Sequence, residues 1–169
     1  MDQLHIHLLL NHFPVIGSLI GLATLLLGFA SRSDAIKRAS LVILLGMAIM
    51  TIPVYLTGEP AEETVENAVG VSKPLMEEHE EAAEPAFIAM GILGVIALAA
   101  LLISFRAERY ANLGFAATLI VSLVAFGLIA RTANLGGQIR HAEIRSGASA
   151  PASETESKQK DRERDDDDD

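Results

Sequence analysis

Residues 86–105 read AFIAMGILGVIALAALLISF, a run with no charged side chain and only one serine. A helix of about 20 apolar residues crosses the roughly 30 Å hydrocarbon core of a bilayer. The run shows no strand-like alternation of polar and apolar residues, and a membrane-spanning helix satisfies its own backbone polar groups. This stretch therefore predicts a transmembrane α-helix.

Three more runs of this kind occur in the chain, and none of them shows strand alternation. The run at residues 8–30 is not expected to be a cleaved signal peptide, because it lacks a basic leading segment and a small-residue cleavage site and its apolar core is too long. The sequence therefore predicts an all-α, polytopic four-helix membrane bundle in residues 1–145. Its spans are residues 8–30, 39–57, 86–105 and 113–130.

Charge and apolarity are segregated along the chain, which is half apolar, has a mean hydropathy of +0.35 and carries a net charge of −9. Residues 58–85 hold nine Glu against one Lys, and residues 146–169 hold nine acidic residues against four basic ones. The low-complexity tail from residue 146 has nothing to bury and is predicted to be disordered. The segregation disfavours a soluble globule, and the negative charge disfavours nucleic-acid binding.

The short connections predict the orientation of the bundle. Basic residues concentrate in residues 31–38 and 106–112, whereas residues 58–85 contain only Lys73. Because cytoplasmic loops carry the excess of Lys and Arg, the first and third connections are expected in the cytoplasm. Both termini and the acidic connection are then extracytoplasmic, and in a bacterium the chain lies in the inner membrane.

The acidic connection is predicted to be helical. Pro60 suits a first helical position, Gly70 ends this short helix, and Ser72 with Pro74 starts another that runs into the third span. Four glutamates of the first short helix share one face: Glu59, Glu62, Glu63 and Glu66.

Histidines concentrate at one end of the predicted bundle. His12 lies inside the first apolar run, where an ionisable side chain is by default a functional hypothesis. His5 and His12 share a helix face, and His7 faces nearly the opposite way. The topology places all five histidines at or near the outer face: His5, His7, His12, His79 and His141.

Two further patterns place the histidines of the later segments. His79 shares its helix face with apolar residues and is predicted to face the bundle, whereas three glutamates point the opposite way: Glu77, Glu81 and Glu84. The pair Gly136-Gly137 is expected to end or turn the fourth helix, so that the chain folds back and brings His141 over the mouth of the bundle.

A b-type haem is the first chemistry that this pattern favours. Such a group needs two neutral imidazole nitrogens about 4 Å apart on facing helices, and cations that offset its propionates. The predicted ligand pairs are His12 with His79 and His7 with His141. The predicted propionate partners are Arg131 and Arg140. The absence of cysteine excludes covalent c-type attachment and Cys-ligated iron–sulfur clusters.

A transition-metal ion is the first alternative, because imidazole with carboxylate suits Fe, Cu(II) or Zn. Its candidate ligands are His12, His79, Glu59, Glu63 and Glu66. A further alternative is a non-catalytic structural subunit of a membrane complex, with solvated histidines and an acidic docking surface. Since the chain offers no nucleophile beside a base, a binding or electron-transfer subunit is favoured over an autonomous enzyme.

An ordered set of short motifs also resembles a known family. The segment from His7 to Pro14 has the form H-x4-HFP, and it is followed by Thr57-Gly58, His79, Gly136-Gly137 and His141. Together they resemble an uncharacterised family of small four-helix bacterial membrane proteins, across residues 5–145. The family pattern has Pro where this chain has Leu8. Its members look like two-haem cytochrome b bundles, which implies that His7, His12, His79 and His141 belong to one site. The expected partners of this chain are the lipid bilayer and other membrane or periplasmic redox proteins.

Overall fold

The computed structural model describes residues 3–66, 68, 70–141, 144 and 145, and the elements it assigns there are helical. The tail predicted from residue 146 lies outside these described residues. Four of the helices are long and two are short. They are α1 (Gln3–Leu10), α2 (His12–Ala30), α3 (Asp34–Leu56), α4 (Gly58–Val65), α5 (Lys73–Arg106) and α6 (Glu108–Arg140).

Four helical stretches are long and apolar enough to cross a membrane, which confirms the predicted four-span, all-α architecture. Each stretch is longer than the apolar run within it, because the helices continue into polar turns at their ends. These turns carry the charged and histidine side chains. The stretches are Gln3–Ala30, Asp34–Val65, Lys73–Arg106 and Glu108–Ile139.

The long helices form a closed ring in which α2 packs on α3, α3 on α5, α5 on α6, and α6 on α2. Each helix contributes a fully buried side chain to a common core: Leu25, Leu44, Leu93 and Phe115. Large apolar side chains also cover the outside, as at Val95, which is 70% exposed. Such a surface suits lipid, which unlike water does not penalise exposed apolar groups.

The first predicted helix is divided in two at Asn11. Pro14, three residues further on, has no N–H to donate to the Leu10 carbonyl, which accounts for an interruption at this place. Helix α1 packs on α4 and on the end of α3. His7 therefore lies beside the last turn of α3.

The acidic connection is helical at both ends, as predicted, although α4 begins at Gly58 rather than Pro60. Gly70 has a φ of +85°, a left-handed conformation that glycine adopts without strain. The next helix, α5, begins directly after Ser72 with Pro74 in its first turn, which confirms the predicted start.

The predicted end of the fourth helix is wrong. Helix α6 continues through Gly136 and Gly137 to Arg140. Glycine is a poor helix former, but tertiary packing overrides propensity of this size. Here the imidazole of His79 packs directly on Gly136. His141 is the residue that follows the helix and is exposed there, so no fold-back at the glycine pair brings it over the bundle.

Candidate functional site

One end of the bundle gathers polar side chains from four helices, and we call it the histidine end. It comprises residues 3–10, 57–66, 72–82 and 132–141, which belong to α1, α4, the start of α5 and the end of α6. The segments are joined by side-chain contacts and by a backbone bond in which the Ser72 N–H donates to the Ile139 carbonyl over 3.3 Å.

His7 is half-buried on α1 and is held by the end of α3. Its Nδ1 lies 3.1 Å from the Val54 carbonyl oxygen and 3.3 Å from the Thr57 hydroxyl. The last carbonyls of a helix lack partners within the helix, so Val54 is free to accept this bond. Since a carbonyl only accepts, Nδ1 is the nitrogen that carries the proton, and Nε2 of the neutral ring keeps its lone pair.

His79 repeats this arrangement on α5. Its Nδ1 donates to the Thr132 carbonyl over 2.9 Å, and its ring packs on Gly136, where a Cβ would lie only 3.0 Å from Cε1. The side chain is 17% exposed. His79 precedes the apolar run of its helix and so lies outside the membrane-spanning segment. Burial lowers its pKa, against the opposing effect of the Thr132 bond, so the ring is neutral at pH 7.

His7 and His79 lie at the same end of the bundle and are held in the same way. Both rings use Nδ1 as the donor to a main-chain carbonyl, and both therefore leave Nε2 as the basic nitrogen. Metal-ligating histidines almost always have this arrangement, in which the second ring nitrogen donates to a carbonyl or carboxylate.

Glu62 on α4 faces His79. Its Oε1 lies 3.9 Å from His79 Nε2, and its side chain is 20% exposed. Helix α4 follows the apolar run of α3, so Glu62 is also outside the membrane-spanning segments. Burial, reinforced by the nearby charges of Glu80 and Glu59, raises the pKa of Glu62 to about 7. This carboxyl group can therefore meet the imidazole in either its neutral or its ionised form near neutral pH.

An acidic cleft of about 260 Å³ lies between α4 and the start of α5. The ion pair in it, Lys73 Nζ to Glu66 Oε1 at 2.8 Å, is exposed, and such pairs contribute little to stability. Because six glutamates and one lysine line the cleft, it is strongly anionic. Its lining residues are Glu59, Glu62, Glu63, Glu66, Lys73, Met76, Glu77 and Glu80.

The structure fixes two histidines by hydrogen bonds, His7 and His79, and the predicted ligand pairs stay predictions. His79 faces the bundle, as the helical wheel predicts, and Glu77, Glu81 and Glu84 are exposed. His7 and His79 are partly buried, whereas His12 is exposed at the start of α2.

The remaining predicted residues lie around this pair. Arg131 is exposed on α6, and the side chain of Arg140 lies outside the described part of the structure. Within the described ranges, no group of three or more His, Asp or Glu is placed to hold a metal ion. Glu59, Glu63 and Glu66 line the acidic cleft, and all three are exposed.

Sequence reasoning missed the residues that orient the imidazoles. The carbonyls of Val54 and Thr132 carry no sequence signal, because every residue has one. Glu62 was seen only as a member of an acidic helix face. The glycines beside the two rings, Gly58 and Gly136, were visible in the motifs, but their meaning depends on the tertiary contact.

The opposite end of the bundle buries a cation, and we call that end the lysine end (residues 28–38 and 104–115). The Lys37 ammonium bonds to Asp34 over 2.9 Å and to Asn112 over 3.2 Å. It also lies 5.0 and 5.1 Å from the ring centroids of Phe29 and Phe115, within the range of cation–π attraction. Lys37 is only 6% exposed and is fully engaged by protein groups.

Arg38 joins two helices at the same end. Its guanidinium donates to the Ser104 hydroxyl over 3.2 Å and to the Ser104 carbonyl over 2.7 Å. The guanidinium also stacks on the Phe105 ring at 4.6 Å. These bonds satisfy a carbonyl in the last turn of α5 and fix α3 against it, which is a structural role.

A closed ring of four apolar helices with a polar site at one end defines a multi-pass helical membrane protein. The sequence matches the family described as predicted membrane protein (DUF2231) over residues 3–143, and the chain belongs to this family. No curated protein and no solved structure matches it.

Proposed function

We propose that the histidine end binds a b-type haem through His7 and His79 and serves electron transfer. The observation that carries the proposal is that both rings make the same hydrogen bond to the main chain. Each Nδ1–H donates to a main-chain carbonyl, and each Nε2 keeps a free lone pair. Neutral imidazoles oriented in this way are the axial ligands that a haem iron takes in helical bundles.

The number of ligands supports haem over a bare ion. A haem iron needs two axial protein ligands, whereas a structural metal ion such as Zn²⁺ takes three or four. The histidine end holds two imidazoles that make the same bond to the main chain, and each can offer one nitrogen ligand. Gly58 adjoins His7 and Gly136 adjoins His79, so each ring packs closely on its helix. Arg131 and Arg140 remain the proposed propionate partners.

The proposed setting is the outer face of a bacterial inner membrane. The excess of Lys and Arg in the connections at the lysine end supports this orientation, with both termini extracytoplasmic. The acidic cleft beside the histidines would attract a partner with a basic surface. We therefore propose membrane or periplasmic redox proteins as partners and assign the chain no catalysis of its own.

A second candidate is a transition-metal ion to which His79 and Glu62 would contribute ligands. The observation that favours it is the carboxylate oxygen of Glu62, 3.9 Å from His79 Nε2. Imidazole and carboxylate together suit Fe, Cu(II) or Zn. Glu62 would have to lose its proton when a metal ion binds, and the positive charge of the ion favours this loss.

One preparation separates the candidates. The protein purified from membranes is analysed by visible absorption and by elemental analysis, together with His7→Ala, His79→Ala and the control His5→Ala. His5 is exposed on the same helix as His7. Haem predicts a Soret band that is lost in the first two variants and retained in the control.

The other outcomes decide against haem. A stoichiometric metal without a Soret band, lost in Glu62→Gln and His79→Ala, supports the bare ion. A colourless and metal-free protein that co-purifies with partner subunits supports a structural role and contradicts both proposals.

A further inference from the structure

The bond that orients His79 is unusual because its acceptor lies inside a continuous helix. The Thr132 carbonyl belongs to α6, eight residues before the end of that helix at Arg140. In an α-helix the side chain at position i+4 lies beside the carbonyl of residue i, and Ser or Thr at i+4 commonly bonds to it. The Thr132 hydroxyl has this geometry, since it lies 3.1 Å from the Leu128 carbonyl, although it lies closer, at 2.9 Å, to the Ala82 carbonyl of α5.

The residue four positions after Thr132 is Gly136, and its missing side chain leaves the place beside the carbonyl empty. The imidazole of His79 occupies this place. A Cβ at residue 136 would lie 3.0 Å from Cε1 and 3.2 Å from Nδ1 of the ring. Both distances are shorter than ordinary van der Waals contact, so above an alanine the ring would have to move by a few tenths of an ångström.

The same spacing occurs at His7, with a looser fit. His7 donates to the Val54 carbonyl, and the residue four positions after Val54 is Gly58. A Cβ at Gly58 would lie 3.7 Å from Cε1 of His7, which is ordinary contact. Both imidazoles thus bond to a helical carbonyl beside a glycine, but a Cβ would crowd the imidazole only at Gly136.

We propose that Gly136 is a positioning residue for His79. Because Gly136 has no side chain, the imidazole of His79 can reach the Thr132 carbonyl. The bond to this carbonyl keeps the proton on Nδ1 and directs the unprotonated Nε2 away from α6, toward Glu62. The consequence for ligand binding rests on the proposed function, whereas the effect on the tautomer does not. The inference also explains why a poor helix former lies in a continuous helix at this point.

The neighbouring glycine provides a matched control. Among the described residues, a Cβ at Gly137 would meet Ile144 Cδ1 at 3.6 Å, within ordinary contact. Gly136→Ala and Gly137→Ala therefore make the same chemical change one residue apart in the same helix. A general effect of alanine on α6 appears in both variants, and an effect through His79 appears in the first alone.

The test is the tautomeric state of His79 in protein labelled with ¹⁵N-histidine, without added haem or metal. The His79 signals are assigned by their loss in His79→Gln. We expect Nδ1–H with unprotonated Nε2 in the wild type and in Gly137→Ala, and loss of this single tautomer in Gly136→Ala. Haem or metal affinity, measured in parallel, should fall about 10- to 100-fold in Gly136→Ala, as for other lost outer-shell partners of a ligating histidine.

Two results would overturn the inference. One is a wild-type His79 with its proton on Nε2, which requires no variant to fold. The other is an unchanged His79 tautomer in Gly136→Ala. If the tautomers behave as expected and neither haem nor metal binds, the positioning role stands and the proposed function fails. If haem binds and the His79 tautomer is the same in Gly136→Ala as in the wild type, the proposed function stands and the positioning role fails.

Discussion

The buried nitrogen atoms at the two ends of the bundle differ in how many of their bonding positions are used by protein groups. At the lysine end, the Lys37 ammonium is shared among Asp34, Asn112 and two aromatic rings. At the histidine end, His7 and His79 each commit one ring nitrogen to the protein and keep the other basic. A fully engaged group stabilises the fold, whereas a half-engaged group in a fixed orientation is ready to bind. We therefore propose a structural role for the lysine end and a binding role for the histidine end.

The largest expected effect on stability is at the lysine end. Lys37→Ala removes a buried stem, two cation–π contacts and the bond to Asn112, and we expect it to lower the free energy of unfolding by about 3 kcal/mol. Haem or metal content per folded molecule should stay unchanged. Denaturant unfolding in detergent, with the exposed Arg106→Ala as control (within about 0.5 kcal/mol of the wild type), measures the difference. A loss of ligand in Lys37→Ala would remove the distinction between the two ends.

Removal of the bound group should have the next largest effect. A ligand present at about 100 times its Kd stabilises the folded state by roughly 2.7 kcal/mol. We expect extraction of the haem or metal to lower the Tm of the wild-type protein and to leave the Tm of a His7→Ala/His79→Ala double variant unchanged. Equal shifts in the two proteins would show that the stabilising group binds elsewhere.

A smaller effect concerns pH and Glu62. Its pKa is raised from 4.5 to about 7 in the folded protein, so the folded state favours the protonated carboxyl. The associated stability is present in full below the ordinary pKa and is lost as the pH rises through about 7. We expect Glu62→Gln to flatten the pH dependence of Tm between about pH 4.5 and 7.

Glu63→Gln is the matched control for this prediction, because it removes an exposed carboxylate from the same helix. Its pH profile should follow that of the wild type. A Glu62→Gln profile that also follows the wild type would contradict the raised pKa and the burial that causes it.

The smallest expected effect is at the rim of the acidic cleft. Lys73→Ala removes the exposed ion pair with Glu66 and should change the free energy of unfolding by at most about 1 kcal/mol. It should not change the ligand spectrum. A large change in either quantity would mean that the cleft, and not the pair of imidazoles, organises this end.

The spans and the inward face of His79 could be predicted from the sequence because both depend on local periodicity. The passage of α6 through Gly136 could not, since tertiary packing decides it. The bond from His7 to the last turn of α3 also escaped prediction, because it depends on the packing of α1 against α3 and α4. Glu62 shares a helix face with exposed glutamates, and only its tertiary position beside His79 distinguishes it.

The central claim is that His7 and His79 present free Nε2 atoms to one occupant. Haemin titration of the purified apoprotein tests it most directly, with the absorption spectrum as the measurement. We expect the wild type and His12→Ala to take up haem with a low-spin, six-coordinate spectrum, and His7→Ala and His79→Ala each to lose that spectrum. Uptake that is unchanged in both of the latter variants would contradict the claim.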